Sequence, residues 1–388
     1  MAIHVISGLL REGIPGSLSV WTLLWTALAI TAVTIIKWYS TGAINTSERN
    51  MHGKIVLVTG GTSGIGAAAA LCLARQGAQI ILLVHQSAKD VFLVEYVEDM
   101  REQSGNELIY AEQVNLSSLY SIRQFATKWI DNAPPRRLDM ILLCAATMTP
   151  PGKSRKILEE GLEETWMVNY LANFHLLNLL SPAIRAQPPD RDVRIIFASC
   201  SCYEKSPPIK YDSGLTEKDW SPTKAYAQSK LALNIFALEF QKRLAAYKRP
   251  DGAPMNAHVI VVDPGYSRTP GMRRWLTRGT LWGLGVYLSL WHLAWMLLKN
   301  SENGAQSILY AAMEAKYGRG SGGKFLKECR EIEFSRSDIK NETISEALWS
   351  SSEKLINSLE RKASIKRAFL KDENKKTKLG KTTHEKNT

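Results

Sequence analysis

Cysteine and clustered metal ligands are scarce in this sequence. Among 388 residues there are only five cysteines, and no CxxC pair or Cys/His group has the spacing of a zinc site. The sequence therefore gives no sign of a disulfide framework, and no metal site is expected. The five are Cys72, Cys144, Cys200, Cys202 and Cys329. Their mostly apolar surroundings predict reduced thiols, and so a domain that faces a reducing compartment.

Acidic residues are rare near the C-terminus. From Arg361 to Thr388, ten lysines and arginines face three acids, a net of +7 within a total of +12. A basic stretch with so few apolar residues predicts a disordered, solvated tail over 351–388. Attraction to an anionic membrane surface is the alternative. No nucleic-acid-binding motif accompanies the charge, so we expect no nucleic acid as a partner.

Charge is absent from Gly13 to Ile36, a stretch rich in Leu, Trp, Ile, Ala and Val. About 20 apolar residues suffice to cross a bilayer core. Tryptophans at 21, 25 and 38 suit its interfaces. A cleaved signal peptide is the alternative, but the run exceeds an ordinary signal core. We predict a membrane anchor and linker over 1–50, whose balanced flanking charges specify orientation only weakly.

Beyond the anchor, apolar runs of strand length alternate with helix-like segments, and there is no internal repeat. Such alternation predicts an α/β fold, a doubly wound parallel sheet of Rossmann type, here over 51–350. The strands are expected at Lys54–Val58, Gln79–Val84, Met140–Cys144, Arg194–Ala198 and His258–Val262. A helix is expected over Ala67–Gln76, with Gly77 just past its end.

A second uncharged stretch, Gly279–Leu298, interrupts the globular pattern. It contains three tryptophans, and its apolar residues recur at helical spacing. Two interpretations stay open: a buried helix that covers a substrate pocket, or a helix in contact with a membrane.

The first chemical motif follows the first predicted strand and opens the next helix. It reads Thr59-Gly60-Gly61-Thr62-Ser63-Gly64-Ile65-Gly66. Glycines let the backbone turn sharply and approach a pyrophosphate, while the N–H groups at the helix N-terminus favour an anion. This strand–turn–helix setting predicts a dinucleotide site.

The second motif is Tyr226-Ala-Gln-Ser-Lys230. A spacing of four residues puts a phenol and an ammonium on one helix face. The free phenol has a pKa of about 10, and a nearby Lys⁺ is expected to lower it. Tyr226 could then exchange a proton with an alcohol or carbonyl.

Together these motifs resemble the short-chain dehydrogenase/reductase family, in its retinol-dehydrogenase-like branch, from about Lys54 to Trp349. The resemblance implies catalytic roles for Tyr226, Lys230 and Asn169. It also implies cofactor contacts from Gly60, Thr62, Ser63, Gly64, Ile65, Gly66, His85, Asn115, Tyr226, Lys230, Pro264, Gly265 and Thr269. Residues 299–306 and Leu348-Trp349 match late motifs of that branch.

The catalytic serine of the family has no single match in Ala198-Ser199-Cys200-Ser201-Cys202. The strand register places Cys200 in its slot, whereas the spacing from Tyr226 gives Ser201. We assign Ser201, with Ser199 as the reserve. Two further departures concern the adenosine side: Cys144-Ala145-Ala146 replaces the family's NNAG, and Asn115 replaces an aspartate.

Cofactor choice depends on the end of the second strand, where an acid would bind the ribose 2′-hydroxyl. The sequence Leu83-Val84-His85-Gln86-Ser87 has none, which favours NADP(H) over NAD(H).

The sequence thus predicts a membrane-anchored oxidoreductase that interconverts an alcohol and a carbonyl, with a lipophilic substrate such as a retinoid, sterol or fatty aldehyde. The endoplasmic reticulum or a lipid droplet, with the catalytic domain in the cytosol, fits the anchor and the thiols. A homodimer stays open. The rival hypothesis is a nucleotide-binding scaffold with little or no turnover.

Overall fold

A computed structural model describes residues 20–132, 136–211, 215–318 and 320–385, with backbone alone beyond residue 367. Its centre is an eight-stranded sheet in the order β3-β2-β1-β4-β5-β6-β7-β8, parallel except for β8. The strands are β1 Ile55–Thr59, β2 Gln79–Val84, β3 Ile109–Gln113, β4 Met140–Leu143, β5 Val193–Ala198, β6 Ala257–Asp263, β7 Lys324–Lys327 and β8 Arg330–Ile332. The doubly wound sheet predicted from the sequence is confirmed.

The central strands form because both of their faces are covered. Every residue of β4, β5 and β6 is buried, which explains their continuous apolar sequences. The expected strands differ from the observed ones by one residue at most. Sequence patterning did not reveal β3, β7 and β8, whose residues are more polar and more exposed.

Helices cover the two faces of the sheet. The described α-helices are α1 Val20–Thr41, α2 Gly64–Arg75, α3 Val91–Ser104, α4 Leu119–Ile130, α5 Ala172–Arg185, α6 Pro222–Ala246, α7 Pro270–Leu276, α8 Leu281–Ser289, α9 Trp291–Leu297, α10 Ser301–Met313 and α11 Glu342–Glu385. A three-residue α-helical turn, Glu164–Trp166, and a π-helix, Met167–Leu171, lead into α5. Helix α2 begins at Gly64, three residues earlier than expected, and Gly77 follows its end with a φ of 88°, as predicted.

Helix α1 is long and apolar enough to cross a bilayer, and its apolar side chains are exposed over Trp21–Thr41. Residues 13–19 of the predicted anchor lie outside the described part of the chain. The C-terminal end of α1 rests on α9, where Lys37 Nζ donates to the Trp295 carbonyl at 2.8 Å and Ser40 Oγ donates to that of Met296.

The segment that follows α1, which we call the strap (residues 42–50), is bound along the catalytic domain. Ala43 N donates to Glu328, Asn45 N to Gln306, Ser47 Oγ to Glu314, and Arg49 pairs with Asp192 at 2.8 Å. The region expected to be a linker is therefore attached at several points along its length.

The uncharged stretch 279–298 forms two short helices, α8 and α9, broken at Leu290. Of the two interpretations left open, that of one buried helix is wrong. Leu281 and Trp282 are 88% and 84% exposed, and among the large side chains of the stretch only Tyr287, 8% exposed, is buried. The apolar residues that recur at helical spacing in 279–298 thus form a surface that is largely exposed in the described part of the chain.

The tail expected to be disordered from residue 351 is helical. Helix α11 runs through position 351 without a break, and Ser352 and Ile356 are buried. Ser352 Oγ lies 2.7 Å from the phenol oxygen of Tyr170. The prediction was wrong because net charge hid the apolar positions of the helix, which packs against α4 and α6.

This packing predicts a stability difference between two isoleucines of α11. Ile356→Ala should lower the free energy of unfolding by about 2–5 kcal/mol, because it leaves a cavity in the core. Ile365→Ala, at a side chain that is 48% exposed, should change it by about 0.5 kcal/mol or less. Thermal unfolding in detergent measures both. Equal midpoints for the two variants would contradict the packing of α11.

Candidate active site

The candidate site lies at the carboxyl edge of the sheet. Strand β1 pairs with β2 on one side and with β4 on the other, so the strand order reverses there. Ligands of open α/β sheets bind at such a switch point. The loops after β1, β4, β5 and β6 all begin at this edge, because the four strands are parallel. The edge therefore brings the separate sequence motifs together.

The glycine-rich loop is packed so tightly that side chains would not fit. A Cβ on Gly60, where φ is 68°, would lie 2.7 Å from Ala145 N, and one on Gly66 would lie 2.3 Å from the Gly60 carbonyl oxygen. Ser63 precedes α2 without a side-chain cap. The first N–H groups of α2 are thus left for a ligand, and the cradle fits the diphosphate of a nicotinamide dinucleotide.

The departure at the end of β4 belongs to this cradle. Ala145 N donates to Thr59 Oγ1 at 3.2 Å, and Cys144 Cβ would be 3.0 Å from a Cβ on Gly66. The two loops therefore touch here, and the contact requires glycine at positions 60 and 66. Burial raises the pKa of Cys144 to about 12, so this thiol stays protonated.

The residues expected to hold the adenosine half of the cofactor lie at the ends of β2 and β3. His85, Ser87 and Lys89 are exposed. The Oε1 atom of Gln86 is buried and has no partner within the described residues. Asn115 is exposed, and its Oδ1 accepts a hydrogen bond from Ser117 N at 2.9 Å. No acid stands at the end of β2, as the sequence indicated.

Tyr226 and Lys230 share one face of α6, which begins at Pro222 under a Ser221 cap. Lys230 is 2% exposed, and its Nζ donates to the Ala198 carbonyl at 2.8 Å. The same Nζ lies 5.7 Å from the centroid of the Tyr226 ring. The pair is therefore held at the end of β5, beside the cradle.

The pKa of Tyr226 is shifted in the direction opposite to the expected one. Burial, and then the nearby Cys200, Cys202 and Asp263, raises the pKa of the phenol well above its ordinary value. Burial also lowers the pKa of Lys230. The expectation that Lys230 lowers the pKa of Tyr226 fails here, because the ammonium is engaged by a carbonyl and the phenol is desolvated.

Asn169 is completely buried in the π-helix, a form that is frequent at functional sites. Its side chain bonds both backbone groups of Thr147, at 2.8 and 3.0 Å, and donates to Ser229 Oγ at 3.0 Å. Ser229 Oγ donates in turn to the Tyr226 carbonyl. Asn169 thus ties the loop after β4 to the helix that carries Tyr226 and Lys230.

The two candidate serines are engaged elsewhere. Ser199 Oγ donates to Asn234 Oδ1 at 2.7 Å, beneath α6. Ser201 begins a 3-10 helix, Ser201–Lys205, where its Oγ bonds Asp263 and accepts from Lys327 Nζ at 2.8 Å. The two serines therefore do not share a side as a continued strand would require. The sequence reasoning missed Asp263 and Lys327; an acid directly before Pro264-Gly265, at a strand end, was the available signal.

The segment after β6 closes over the cradle. Gly265, with a φ of 74°, follows Pro264 and donates its N–H to the Asp263 carboxylate at 3.0 Å. A Cβ on Gly64 would lie 3.0 Å from the Thr269 side chain. Thr269 therefore reaches the glycine-rich loop, as its match to the family motif implied. Among the described residues no group of His, Cys, Asp or Glu could hold a metal ion.

The sequence matches the family model for short chain dehydrogenases over residues 54–278. Among curated proteins, the oxidoreductase pbr1 of Schizosaccharomyces pombe is 40% identical over 86% of this chain and 90% of its own. Human polyprenol dehydrogenase is 31% identical over 77% of this chain and 84% of its own. Human retinol dehydrogenase 13 is 30% identical over 84% of this chain and 91% of its own.

Solved structures show the same fold. A protein from Mycobacterium paratuberculosis superposes with a TM-score of 0.58 at 24% identity, over 81% of this chain and 98% of that one. A short-chain dehydrogenase from Shigella flexneri complexed with NADP superposes with a TM-score of 0.51 at 21% identity, over 73% of this chain and 100% of that one. With its sheet order, its glycine-rich cradle and its Tyr226–Lys230 pair, this chain belongs to the short-chain dehydrogenase/reductase family and is an oxidoreductase.

Proposed function

We propose that the protein is a membrane-associated, NADP(H)-dependent enzyme that interconverts a lipophilic carbonyl compound and its alcohol. The observation that carries the proposal is the position of the Tyr226–Lys230 pair beside the cradle, at the switch point of the sheet. A reacting carbonyl placed there would have a proton donor next to it.

A bound nicotinamide cofactor would supply or accept the hydride. The chain itself supplies the proton. Because the pKa of Tyr226 is raised, the phenol keeps its proton at neutral pH. A protonated phenol can act as the general acid of carbonyl reduction.

Lys230 and Asn169 support this step in different ways. Lys230 places a positive charge between the end of β5 and the phenol, where it would bind the ribose hydroxyls of the cofactor. Asn169 anchors the backbone of Tyr226 through Ser229. Their proposed roles are orientation of the cofactor and fixation of the proton donor.

Removal of the Tyr226 hydroxyl should reduce turnover strongly. We expect Tyr226→Phe to lower kcat by roughly 10²–10⁴-fold while NADPH binding persists, because the ring stays and only the acid is lost. Tyr247→Phe, at the far end of the same helix, is the matched control and should keep its activity. NADPH oxidation with a panel of aldehydes and ketones measures the rate, and fluorescence titration measures binding.

Wild-type-like turnover in Tyr226→Phe would refute the assignment. An absence of turnover in the wild type across the whole panel, with NADPH still bound, would favour a nucleotide-binding scaffold instead.

NADP(H) is the proposed cofactor for two reasons. No acid follows β2 to bind a ribose 2′-hydroxyl or repel a 2′-phosphate, and His85, Ser87 and Lys89 are exposed there. The short-chain dehydrogenase from Shigella flexneri, which shares this fold, was crystallised as a complex with NADP.

An acid at position 85 should change this preference. We expect His85→Asp to weaken NADPH binding at least tenfold and to improve NADH binding, since the carboxylate repels a 2′-phosphate and accepts from a hydroxyl. His52→Asp, also exposed but before β1, is the control. Dissociation constants for both cofactors provide the measurement. A wild type that binds NADH more tightly than NADPH would contradict the proposal.

A lipophilic substrate is proposed from the surface around the site and from two relatives. Human polyprenol dehydrogenase and human retinol dehydrogenase 13 carry lipid alcohols in their names. Here α8 and α9 follow the Pro264–Thr269 segment and expose Leu281, Trp282, Leu288 and Trp295. Because α1 contacts α9, the exposed apolar surfaces of the three helices adjoin one another.

The strap gives this arrangement a fixed geometry. Its contacts with Glu328, Gln306, Glu314 and Asp192 hold the end of α1 against the catalytic domain. We propose that α1 anchors the protein while α8 and α9 lie in the membrane interface, so that a lipid can reach the site without crossing water. The free thiols suit a cytosolic domain on the endoplasmic reticulum or on a lipid droplet.

Both apolar elements should contribute to membrane attachment. Deletion of residues 1–36, which leaves the strap intact, should lower the membrane-bound fraction but leave residual binding through α8 and α9. Adding Leu281→Ser and Trp282→Ser should release the protein. The control adds Val91→Ser and Phe92→Ser instead, at side chains that are 74% and 81% exposed on α3.

Carbonate and detergent fractionation of cell membranes provides the measurement. A fully soluble deletion variant would show that α8 and α9 have no membrane role, and protease protection of the C-terminal tail in intact microsomes would rule out the cytosolic orientation.

A further inference from the structure

Cys200 stands where β5 leaves the sheet, between the two candidate serines. Ile195 and Phe197 face the core beneath α6, whereas Ile196 and Ala198 face the core shared with α2 and α10. Ser199 continues the first face, as its bond to Asn234 shows. Cys200 has extended backbone angles, with φ −165° and ψ 142°, so its side chain continues the second face, on which the cradle lies.

The neighbours of Cys200 are the groups of the catalytic site. A negative charge on Cys200 would raise the pKa of both Tyr226 and Lys230. Lys230 Nζ is bonded to Ala198, two residues earlier. The hydroxyls of Ser199 and Ser201 are held by Asn234 and by Asp263 with Lys327. Cys200 is half-buried, so part of its surface stays accessible.

We infer that Cys200, rather than Ser201 or Ser199, donates the hydrogen bond to the substrate oxygen during catalysis. The inference rests on the proposed carbonyl–alcohol activity and names the donor within it. No bond to sulfur forms or breaks. The Cys200 S–H points at the carbonyl oxygen and steadies the charge that builds there, while the proton that ends on that oxygen comes from Tyr226.

A thiol in this role makes the reaction sensitive to pH. The titratable groups around Cys200 are Cys202 on the same turn, Tyr226 and Lys230 on α6, and Asp263 after β6. A hydrogen bond from Cys202 lowers the pKa of Cys200 to about 7. Below that pH the thiol donates; above it the thiolate would repel a developing alkoxide. Reduction should therefore slow as pH rises through about 7, although Tyr226 remains protonated.

Three substitutions test the inference in the full-length protein in detergent, with NADPH and all-trans-retinal as the probe. Cys200→Ala should lower kcat by roughly 10- to 100-fold, less than the loss of a stronger donor, because a thiol donates weakly. Cys200→Ser should keep turnover at pH 6.5 and abolish the decline above pH 7, since a hydroxyl does not ionise there. Cys202→Ala should shift the decline to higher pH. Cys72→Ser, a half-buried thiol on α2, is the control.

Ser201→Ala discriminates between the rival donors. A large loss in Ser201→Ala together with normal kcat in Cys200→Ala would overturn the inference while the proposed function stands. A pH profile unchanged in Cys200→Ser would overturn it as well. If the wild type shows no carbonyl reduction that depends on Tyr226, the proposed function fails and the inference fails with it.

Discussion

The close approach of two backbone segments, the turn after β1 and the end of β4, determines the rest of the site. Gly60 passes so near Ala145 that a Cβ at 60 would lie 2.7 Å from the Ala145 nitrogen. The contact fixes the N-terminus of α2 at the point where the sheet order reverses, and it requires small residues on both sides. The alanines at 145 and 146, which depart from the family pattern, satisfy this requirement and preserve the cradle.

Burial explains the chemistry next to the cradle. The Lys230 ammonium is almost fully buried and is compensated by the Ala198 carbonyl, while the desolvated Tyr226 phenol holds its proton more firmly than in water. The same desolvated space contains three thiols, of Cys144, Cys200 and Cys202, and the Asp263 carboxyl.

The contacts of the strap connect this chemistry to the outer surface of the protein. A flexible linker would let the catalytic domain rotate beneath its anchor. Here residues 43–49 bind Gln306 in α10, Glu314 just after it, Glu328 in the turn between β7 and β8, and Asp192 just before β5. These contacts hold the C-terminal end of α1 against the domain, where it also contacts α9.

The sequence by itself determined the fold class, the central strands, the glycine-rich loop and the Tyr226–Lys230 pair, because these depend on local patterns: continuous apolar runs, glycines at a turn, and a four-residue helical spacing. It did not determine the helical course of residues 351–385, since the burial of Ile356 depends on the packing of α11 against α4 and α6 rather than on local charge. It could not separate Ser199, Cys200 and Ser201 either. Only the tertiary structure decided their partners, because the strand ends after Cys200 and Ser201 turns toward Asp263 and Lys327, residues more than 60 positions away along the chain.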